Sequence, residues 1–323
     1  MKNVGIICGG FSSEYDISVK SATTIRDNFP SEYNAYLIFL SREGWEIEVD
    51  GERHVLDPVT FSTELQGNTL TIDVAIVYVH GDPGENGKIQ AYLEMQQIPY
   101  VNSGPLASEL SFDKWFCNQF LKGFGIHVAD SIYFTSKSEV IESAEIVARL
   151  GLPLFVKPCD SGSSYGIARV DQEEELSGAI DAAFEEGKTV VIEAFLDGTE
   201  VTCGVYRSTS GLVALPLTEI VSENAFFDFE AKYKGLSDEI TPARISDEMT
   251  EKVQAISKKI YETIQLRSIA RIDFMIVNEV PHVIEVNTTP GFSAESIVPK
   301  MIAASGISIT SFWSKIMEAE LES

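Results

Sequence analysis

The sequence has little positive charge and no long apolar run, and each shortage excludes a class of protein. Only 24 of its 323 residues are lysine or arginine, against 49 aspartates and glutamates, which leaves a net charge of −25. This negative field argues against a nucleic-acid or anionic-membrane surface, because those partners carry the same sign of charge. No apolar run approaches the roughly 18 residues that a membrane span needs. The start of the chain also lacks the apolar stretch of a signal peptide.

Cysteine and histidine are also scarce, with four of each in the chain. The cysteines are far apart and form no C-x-x-C pair, and the histidines are equally scattered. A zinc site is therefore not expected. Scattered thiols in a chain of this length, without an export signal, predict a reduced, cytoplasmic protein.

The first hundred residues alternate strands and helices, and the chain is long enough for about two domains. Buried strands are predicted at 4–8, 36–40 and 74–79, with helices at 17–28 and 87–97. This βαβ order favours an open parallel sheet in an α/β fold, and a polar, hairpin-rich stretch at 43–68 interrupts it.

After residue 102 the pattern changes to mixed helices and strands. Helices are predicted at 106–122, 138–150, 173–186 and 247–265, and strands at 154–157, 167–170, 189–195, 200–206 and 212–220. We interpret residues 103–192 as a small α+β domain. A hairpin and two closing helices are expected after the long amphipathic helix.

The most informative segment is a predicted β-hairpin, Ala270–Asn287, in which two alternating runs flank a turn signal. With the turn centred near residue 279, two cross-strand pairs are predicted, Arg271 with Asn287 and Asp273 with Glu285. Because side chains alternate along a strand, these four share one face. The opposite, packed face would carry the apolar residues Ile272, Phe274, Ile276, Ile284 and Val286.

Two carboxylates that oppose each other across strands repel. A divalent cation removes this repulsion, and an all-oxygen set of Asp273, Glu285 and Asn287 suits Mg²⁺ rather than zinc. The alternative is a solvated strand face with incidental acids, which is common in so acidic a protein. Spacing alone therefore supports a magnesium site as a hypothesis.

A second candidate is the loop of Phe155–Gly166, where a predicted strand delivers Lys157 to a run of Gly and Ser. Such loops offer free N–H groups and hydroxyls to phosphate oxygens, and the lysine adds a point charge. The alternative is a flexible hairpin connection. The segment Gly81–Lys88 resembles a P-loop only superficially, because it lacks the required first glycine and the Ser or Thr.

Two further segments carry candidate residues. Glu14 would project at the carboxyl end of the parallel sheet, where open α/β sheets bind ligands, although a first-turn acid more often complements a helix dipole. The polar segment 222–243 contains four aromatic residues within 226–237, which favours a lid over a site. Taken singly, its Lys232 and Tyr233 are better explained as an exposed pair.

Eight segments in order resemble the D-alanine–D-alanine ligase family of the ATP-grasp enzymes. They are GGFSSEYDIS, HGDPGENG, SGPLASELSFDK, FVKPCDSGSSYGI, IEAFLDGTEVT, FEAKYKG, ARIDFMI and IEVNTTPGFSAES. The resemblance covers nearly the whole chain. A single such segment would be weak, whereas eight in the family's order identify the sequence as a member.

The resemblance implies an α/β (α+β) three-domain ATP-grasp fold. Its domains would be 1–102 (N-terminal, Rossmann-like, with an open parallel sheet), 103–192 (small central ATP-grasp) and 193–323 (C-terminal, with the metal site and lid 222–243). It also implies ATP-dependent ligation of two D-alanines through an acyl phosphate, for peptidoglycan precursor synthesis. ATP would be the co-substrate, two Mg²⁺ ions (or Mn²⁺) the cofactors, and a homodimer the assembly.

The resemblance further implies a role for each matching residue. ATP would contact Lys114, Lys157, Lys232, Glu193, Ala194, Leu196 and Glu200. Two metal ions would bind Asp273, Glu285 and Asn287. Glu14, Ser163, Tyr233 and His80 would surround the first D-alanine, Arg271 and Gly291 would stabilise an oxyanion, and Ser296 would anchor the second substrate's carboxylate.

The sequence departs from the family's pattern at a few positions, and other functions remain as alternatives. The family often has Lys where Ala194 stands, and a different pair at Asp160-Ser161, followed here by the larger Tyr165. A D-alanine–D-lactate ligase is an alternative against which Tyr233 argues. An ATP-grasp ligase of other amino acids, and a non-enzymatic nucleotide-binding regulator, are disfavoured because the substrate and metal sets are intact.

Overall fold

The computed structural model describes residues 1–160, 162, 165–222 and 237–321, with the backbone alone at 222 and 237. None of the helices in these ranges is long and apolar enough to span a membrane. All four cysteines are buried and free.

The first part of the chain forms a six-stranded sheet with two helices beside it. Its elements are β1 (Lys2–Gly9), α1 (Tyr15–Asp27), β2 (Tyr33–Ser41), β3 (Gly44–Val49), β4 (Glu52–Val55), β5 (Ser62–Leu65), β6 (Asn68–Thr71), β7 (Val74–Val77), α2 (Lys88–Met95) and β8 (Tyr100–Val101). The strand order is β4-β3-β2-β1-β7-β8, and β5 and β6 form a separate hairpin. Strands β2, β1, β7 and β8 run parallel, as the βαβ pattern predicts.

Strand β1 is apolar without alternation because both faces of the sheet are covered. Ile6 and Ile7, which point to opposite faces, belong to two different apolar cores and are both fully buried. On one face α1 packs through small residues, and Ser18 accepts the Gly9 N–H at 2.9 Å and donates to the Tyr78 carbonyl at 2.8 Å. The helix is thereby fixed beside the carboxyl end of β1.

The middle of the chain forms an antiparallel four-stranded sheet in the order β11-β10-β12-β9. Its elements, with the helices before and between them, are α3 (Pro105–Phe112), α4 (Lys114–Gly123), β9 (Ser131–Phe134), α5 (Ser143–Leu150), β10 (Leu154–Pro158), β11 (Ala168–Val170), α6 (Leu176–Glu186) and β12 (Val190–Ala194). The single helix predicted at 106–122 is wrong. Asp113 is extended between two helices and caps α4 by accepting the Phe116 N–H at 2.9 Å.

The last part forms another sheet, in the order β16-β15-β13-β17-β18, with β14 also paired to β13. Its elements are β13 (Thr199–Ser208), β14 (Gly211–Ala214), β15 (Thr218–Ser222), β16 (Ser237–Ile240), α7 (Asp247–Thr263), β17 (Ile269–Val277), β18 (Val280–Asn287), α8 (Ile297–Ala304) and α9 (Ile309–Leu321).

The continuous strand predicted at 212–220 is also wrong, because it breaks between β14 and β15. Both halves pair with β13, but the register shifts, with Val205 opposite Ala214 and Thr202 opposite Thr218. Pro216 lies in the break. It has no N–H to donate to a ladder, so it favours an irregularity of this kind.

One aromatic core joins the first and last sheets. Tyr78, Phe292 and Trp313 are fully buried in it, with ring centroids 5.5 to 6.2 Å apart. The Tyr78 hydroxyl donates to the Pro290 carbonyl at 2.8 Å. The loop after β18 is therefore held against the end of β7.

A second connection is polar and joins α9 to the start of β17. Glu320 is 4% exposed and accepts hydrogen bonds from the Arg267 guanidinium and, at 2.9 Å, from the Ser268 N–H. Arg267 also donates to the Tyr100 carbonyl at 3.0 Å. This network ties the C-terminal helix to the end of the first sheet.

The substitution Glu320→Ala is therefore expected to lower the free energy of unfolding by about 2 kcal/mol, since it leaves the buried Ser268 N–H and the partly exposed Arg267 guanidinium without this acceptor. Chemical and thermal denaturation measure the change. Glu318→Ala, at an exposed position on the same helix, is the control and should be near neutral. Equal effects of the two substitutions would contradict the role of this network.

Candidate active site

Two neighbouring cavities open between the sheets. The first has a volume of about 420 Å³ and lies between the middle sheet and the last one. The second, of about 300 Å³, lies against the first sheet and the loop after β18. Lys114, Arg271 and Glu285 line both cavities, so these three side chains stand at the junction.

The β17–β18 hairpin supplies the polar face of the junction. The predicted pairs are confirmed, with Arg271 opposite Asn287 and Asp273 opposite Glu285. The turn is a two-residue one at Asn278-Glu279, with positive φ angles of 49° and 63°.

A β-bulge restores the predicted pairing. Because the register shifts between Asp273 and Phe274, Phe274 pairs with Val283 and Ile284 is the extra residue. The prediction that Ile284 packs in the core is wrong. Val283, which is 1% exposed, occupies the core instead, and Ile284 lines the first cavity.

Three side chains donate hydrogen bonds to the Asp273 carboxylate. Its Oδ1 accepts from Arg271 Nε at 2.8 Å and from Thr202 Oγ1 at 2.5 Å. Its Oδ2 accepts from the Arg271 guanidinium at 2.8 Å and from Asn287 Nδ2 at 3.2 Å. Strand pairing explains the contact with Thr202, which lies opposite Asp273 in the register of β13 and β17.

The chemistry of this donor set fits magnesium. No group of three His, Cys, Asp or Glu side chains suited to a metal occurs among the described residues. Two opposed carboxylates and the amide of Asn287 nevertheless form an all-oxygen set, which a hard divalent cation prefers. Arg271 and Lys114 balance the two carboxylates in this structure, with Lys114 Nζ 3.4 Å from Glu285 Oε1.

Lys114 is 8% exposed, at the start of α4. Burial opposes its charge, but the Glu285 carboxylate, together with Cys159 and Glu193, outweighs burial and raises the pKa of Lys114 above its ordinary value. The lysine is therefore charged at neutral pH. It points a cation at the junction of the cavities, where an anionic ligand would meet it.

A second lysine reaches the first cavity from β10. Lys157 Nζ lies 2.5 Å from Glu193 Oε2, and the two side chains are 11% and 7% exposed. Asn118 Nδ2 donates to the other Glu193 oxygen at 3.2 Å. The Glu193 side chain thus orients Lys157, a function that the sequence did not indicate because only the backbone at this position was expected to matter.

The rest of the first cavity is an apolar slot with a polar edge. Phe155, Met275 and Ile284 supply apolar walls, the strand end at Ala194–Leu196 supplies backbone, and Glu200 adds a carboxylate. A slot of this kind suits a flat base beside a polar group, and the two lysines beyond it suit phosphate oxygens.

The second cavity contains a buried neutral histidine. His80 is 5% exposed, and its Nε2 lies 3.1 Å from Ser21 Oγ. Burial and the positive Arg271 lower the pKa of His80 to about 4. The imidazole is therefore uncharged at neutral pH, and it can hydrogen-bond a ligand without adding charge.

The loop after β18 forms the opposite wall. Ser296 lies immediately before α8 and accepts the Ser293 N–H at 3.0 Å. Gly291 comes so close that an added Cβ would lie 3.1 Å from Ser296 Oγ. Helix N-termini favour anions, so this wall can bind a carboxylate.

The structure brings together every predicted residue that it describes. The first cavity is lined by Lys114, Lys157, Glu193, Ala194, Leu196, Glu200, Arg271, Asp273 and Glu285, and the second by His80, Asn287, Gly291 and Ser296. Glu14 lies beside the second cavity, with Oε2 2.7 Å from the position of an added Cβ on Gly162, which lines it. Ser163, Lys232, Tyr233 and most of the lid 222–243 lie outside the described residues.

Sequence reasoning missed Thr202 and Asn118, which orient Asp273 and Glu193. Thr202 could have been found by alternation, since it shares a face of β13 with Glu200. Nothing local marks Asn118, because its partner lies 75 positions away in the chain.

The pKa of His80 predicts a pH dependence of stability. In the unfolded chain a histidine titrates near 6.5, so below that pH the unfolded state binds more protons and stability falls. From pH 7.5 to pH 5, the unfolding free energy of the parent protein should fall by about 2 kcal/mol more than that of His80→Gln. Denaturation at both pH values, above the sequence pI of about 4.5, measures this. Parallel pH profiles of the two proteins would contradict it.

Two family models match most of the chain. The model for the D-ala D-ala ligase N-terminus matches residues 3–103, and the model for the D-ala D-ala ligase C-terminus matches residues 120–318. A D-alanine–D-alanine ligase of Parabacteroides distasonis is 44% identical, over 99% of this chain and 98% of the relative. One of Porphyromonas gingivalis is 45% identical, over 94% and 93% respectively.

Solved structures share the fold over nearly the full length. D-alanyl-alanine synthetase A of Vibrio cholerae matches with a TM-score of 0.87 and 28% identity, over 99% of this chain and 98% of that one. VanG D-Ala:D-Ser ligase of Enterococcus faecalis has the same score and identity, over 99% of both chains. D-alanine–D-alanine ligase of Bacillus anthracis, complexed with ATP, has a TM-score of 0.80 and 28% identity, over 100% and 98%.

Proposed function

This chain belongs to the D-alanine–D-alanine ligase family, and from that premise we propose how its residues perform the reaction. The protein is an ADP-forming ligase with the ATP-grasp fold, and it joins two D-alanines to D-alanyl-D-alanine for peptidoglycan precursor synthesis. ATP is its co-substrate. The proposed residue roles rest on one observation, that Lys114, Arg271 and Glu285 line both cavities at their junction.

ATP occupies the first cavity in this proposal. Its adenine lies in the apolar slot against the backbone of Ala194–Leu196, its ribose meets Glu200, and its phosphates reach Lys157 and Lys114. Lys232, from the segment outside the described residues, adds a further positive charge. Each lysine has three N–H donors, so it can bind phosphate oxygens while it keeps its carboxylate partner, and no buried charge is left unpaired.

Asp273, Glu285 and Asn287 would hold two Mg²⁺ ions, or Mn²⁺ in their place. Bound there, the ions supply positive charge that stabilises the transferring phosphoryl group. Thr202 and Arg271 keep the Asp273 carboxylate in place for this task.

The first D-alanine occupies the second cavity between Glu14 and His80. Its carboxylate attacks the γ-phosphate, which forms an acyl phosphate and releases ADP. Glu14 pairs with its ammonium group, and the neutral His80 imidazole donates or accepts a hydrogen bond without opposing that charge. Lys157 and Lys114 position the phosphates for an in-line attack.

The second D-alanine then binds with its carboxylate at Ser296. After losing a proton, its amine attacks the acyl carbon, and the tetrahedral intermediate expels phosphate. Arg271 and the Gly291 N–H stabilise the oxyanion. Ser163 and Tyr233 complete a hydrogen-bonded set with Glu14 in this proposal.

Three wider features are also proposals. The domains divide at 1–102, 103–192 and 193–323. The lid 222–243 closes over the site and excludes water, because an acyl phosphate hydrolyses readily. The protein acts as a cytoplasmic homodimer.

The reaction is tested by incubating the protein with ATP, Mg²⁺ and D-alanine, following ADP release and detecting the product by mass. One ADP per D-alanyl-D-alanine is expected. ADP release that needs D-alanine but yields no dipeptide would point to another second substrate, with D-lactate and D-serine tried next. Absence of D-alanine-dependent ADP release would overturn the assignment.

The metal site is tested by Glu285→Gln, which removes one of the two opposed carboxylates while it preserves the shape of the side chain. We expect kcat to fall on the order of 10²-fold and the Mg²⁺ concentration for half-maximal rate to rise. Mn²⁺ binding, followed by electron paramagnetic resonance with a non-hydrolysable ATP analogue, should weaken too. Glu279→Gln, exposed in the turn of the same hairpin, should change neither, and unaltered Mn²⁺ binding by Glu285→Gln would exclude it as a ligand.

A further inference from the structure

The turn between β7 and α2 carries a carboxyl group that the reaction scheme above does not use. Glu85 lines the second cavity with His80 and Arg271. Its Oε2 accepts the Gly81 N–H at 2.8 Å, and its own N–H donates to the Gly81 carbonyl at 2.9 Å. Glu85 therefore holds both backbone polar groups of Gly81.

Gly81 is also the point where this turn meets Glu14. Its φ is +67°, and an added Cβ would lie 3.0 Å from Glu14 Oε2 and 2.8 Å from Ser12 Oγ. Ser12 Oγ donates to the His80 carbonyl at 3.0 Å and accepts the Glu14 N–H at 3.2 Å. With so little space between the two loops, a shift of Gly81 would be passed to Glu14.

The charge state of Glu85 suits a place beside other acids. Burial, and the nearby Glu14 and Glu285 carboxylates, raise the pKa of Glu85 to about 8. The raised pKa favours the neutral, protonated form of this group. Its carbonyl oxygen accepts the Gly81 N–H, and it adds little repulsion against Glu14.

We propose that Glu85 is a positioning residue for the first D-alanine. By holding Gly81, Glu85 fixes the position of Glu14. The inference rests on the proposed function, in which Glu14 binds the ammonium group of that substrate. Glu85 acts as a hydrogen-bond acceptor of the right length and not as a negative charge. A glutamine can replace it, whereas an alanine cannot accept the bond and an aspartate is one methylene too short to reach it.

The test compares Glu85→Ala with Glu85→Gln. The two Michaelis constants for D-alanine are separated by fitting rates over a wide D-alanine range, and KM for ATP is measured alongside. Glu85→Ala should raise the first D-alanine KM about tenfold, since one hydrogen bond is lost, and leave KM for ATP within about twofold. Glu85→Gln should stay within about threefold of the parent in both constants.

Asp82→Ala is the matched control, because Asp82 lies in the same turn but its carboxylate accepts from Asn86 and Lys88 instead. It should leave both D-alanine constants unchanged. If thermal unfolding shows that Glu85→Ala does not fold, Glu85→Asp is compared with Glu85→Gln instead. Glu85→Asp should then raise the first D-alanine KM about tenfold.

Two results would overturn the role of Glu85. One is a glutamine variant as impaired as the alanine or aspartate variant, which would mean that the negative charge is required. The other is an equal rise of KM for ATP and for D-alanine, which would indicate general damage. A parent protein without D-alanine-dependent ADP release would instead overturn the proposed function, so the two failures are distinguishable.

Discussion

The charged centre depends on the pairing of acids with cations, and Arg271 donates to both carboxylate oxygens of Asp273. Lys114 compensates Glu285 in the same way from a helix of the middle region, and a second lysine–glutamate pair joins two strands of the middle sheet. A buried charge without a partner costs several kcal/mol. In a chain of net charge −25, these cations therefore allow several acids to lie close together at one site. They also supply positive charge there that phosphate oxygens could contact.

The positions of these groups follow from rigid elements. Arg271 and Asp273 lie on a strand that is paired on both sides, and the loop that carries Gly291 is held by the bond from Tyr78 to Pro290 and by the aromatic core around Trp313. The walls that the first sheet and the loop after β18 give to the second cavity therefore share one core. A site built on packed elements keeps its geometry within the narrow range that an in-line transfer and an oxyanion contact require.

The hairpin shows how a correct prediction can rest on incomplete geometry. Alternation and the turn signal placed Asp273 opposite Glu285, which is where the structure has them. The observed turn alone does not produce this pairing, because its two residues, Asn278 and Glu279, would place Asp273 opposite Ile284. The bulge at Ile284 compensates. Local sequence could not reveal the bulge, since its cause is the packing of Val283 into the core while Ile284 faces a cavity.

The sequence by itself determined the βαβ order of the first sheet, the sharing of one face by the hairpin's charged residues, and the family to which the eight segments belong. These depend on patterns within a few residues of each other. Only the tertiary structure decided that Glu193 orients Lys157, that Thr202 holds Asp273 and that Glu85 faces the acids of the second cavity. Most of these partners come from distant parts of the chain and meet through sheet pairing and loop packing. Hydrogen bonds and charge compensation depend on distances that the complete fold sets and that periodicity does not encode.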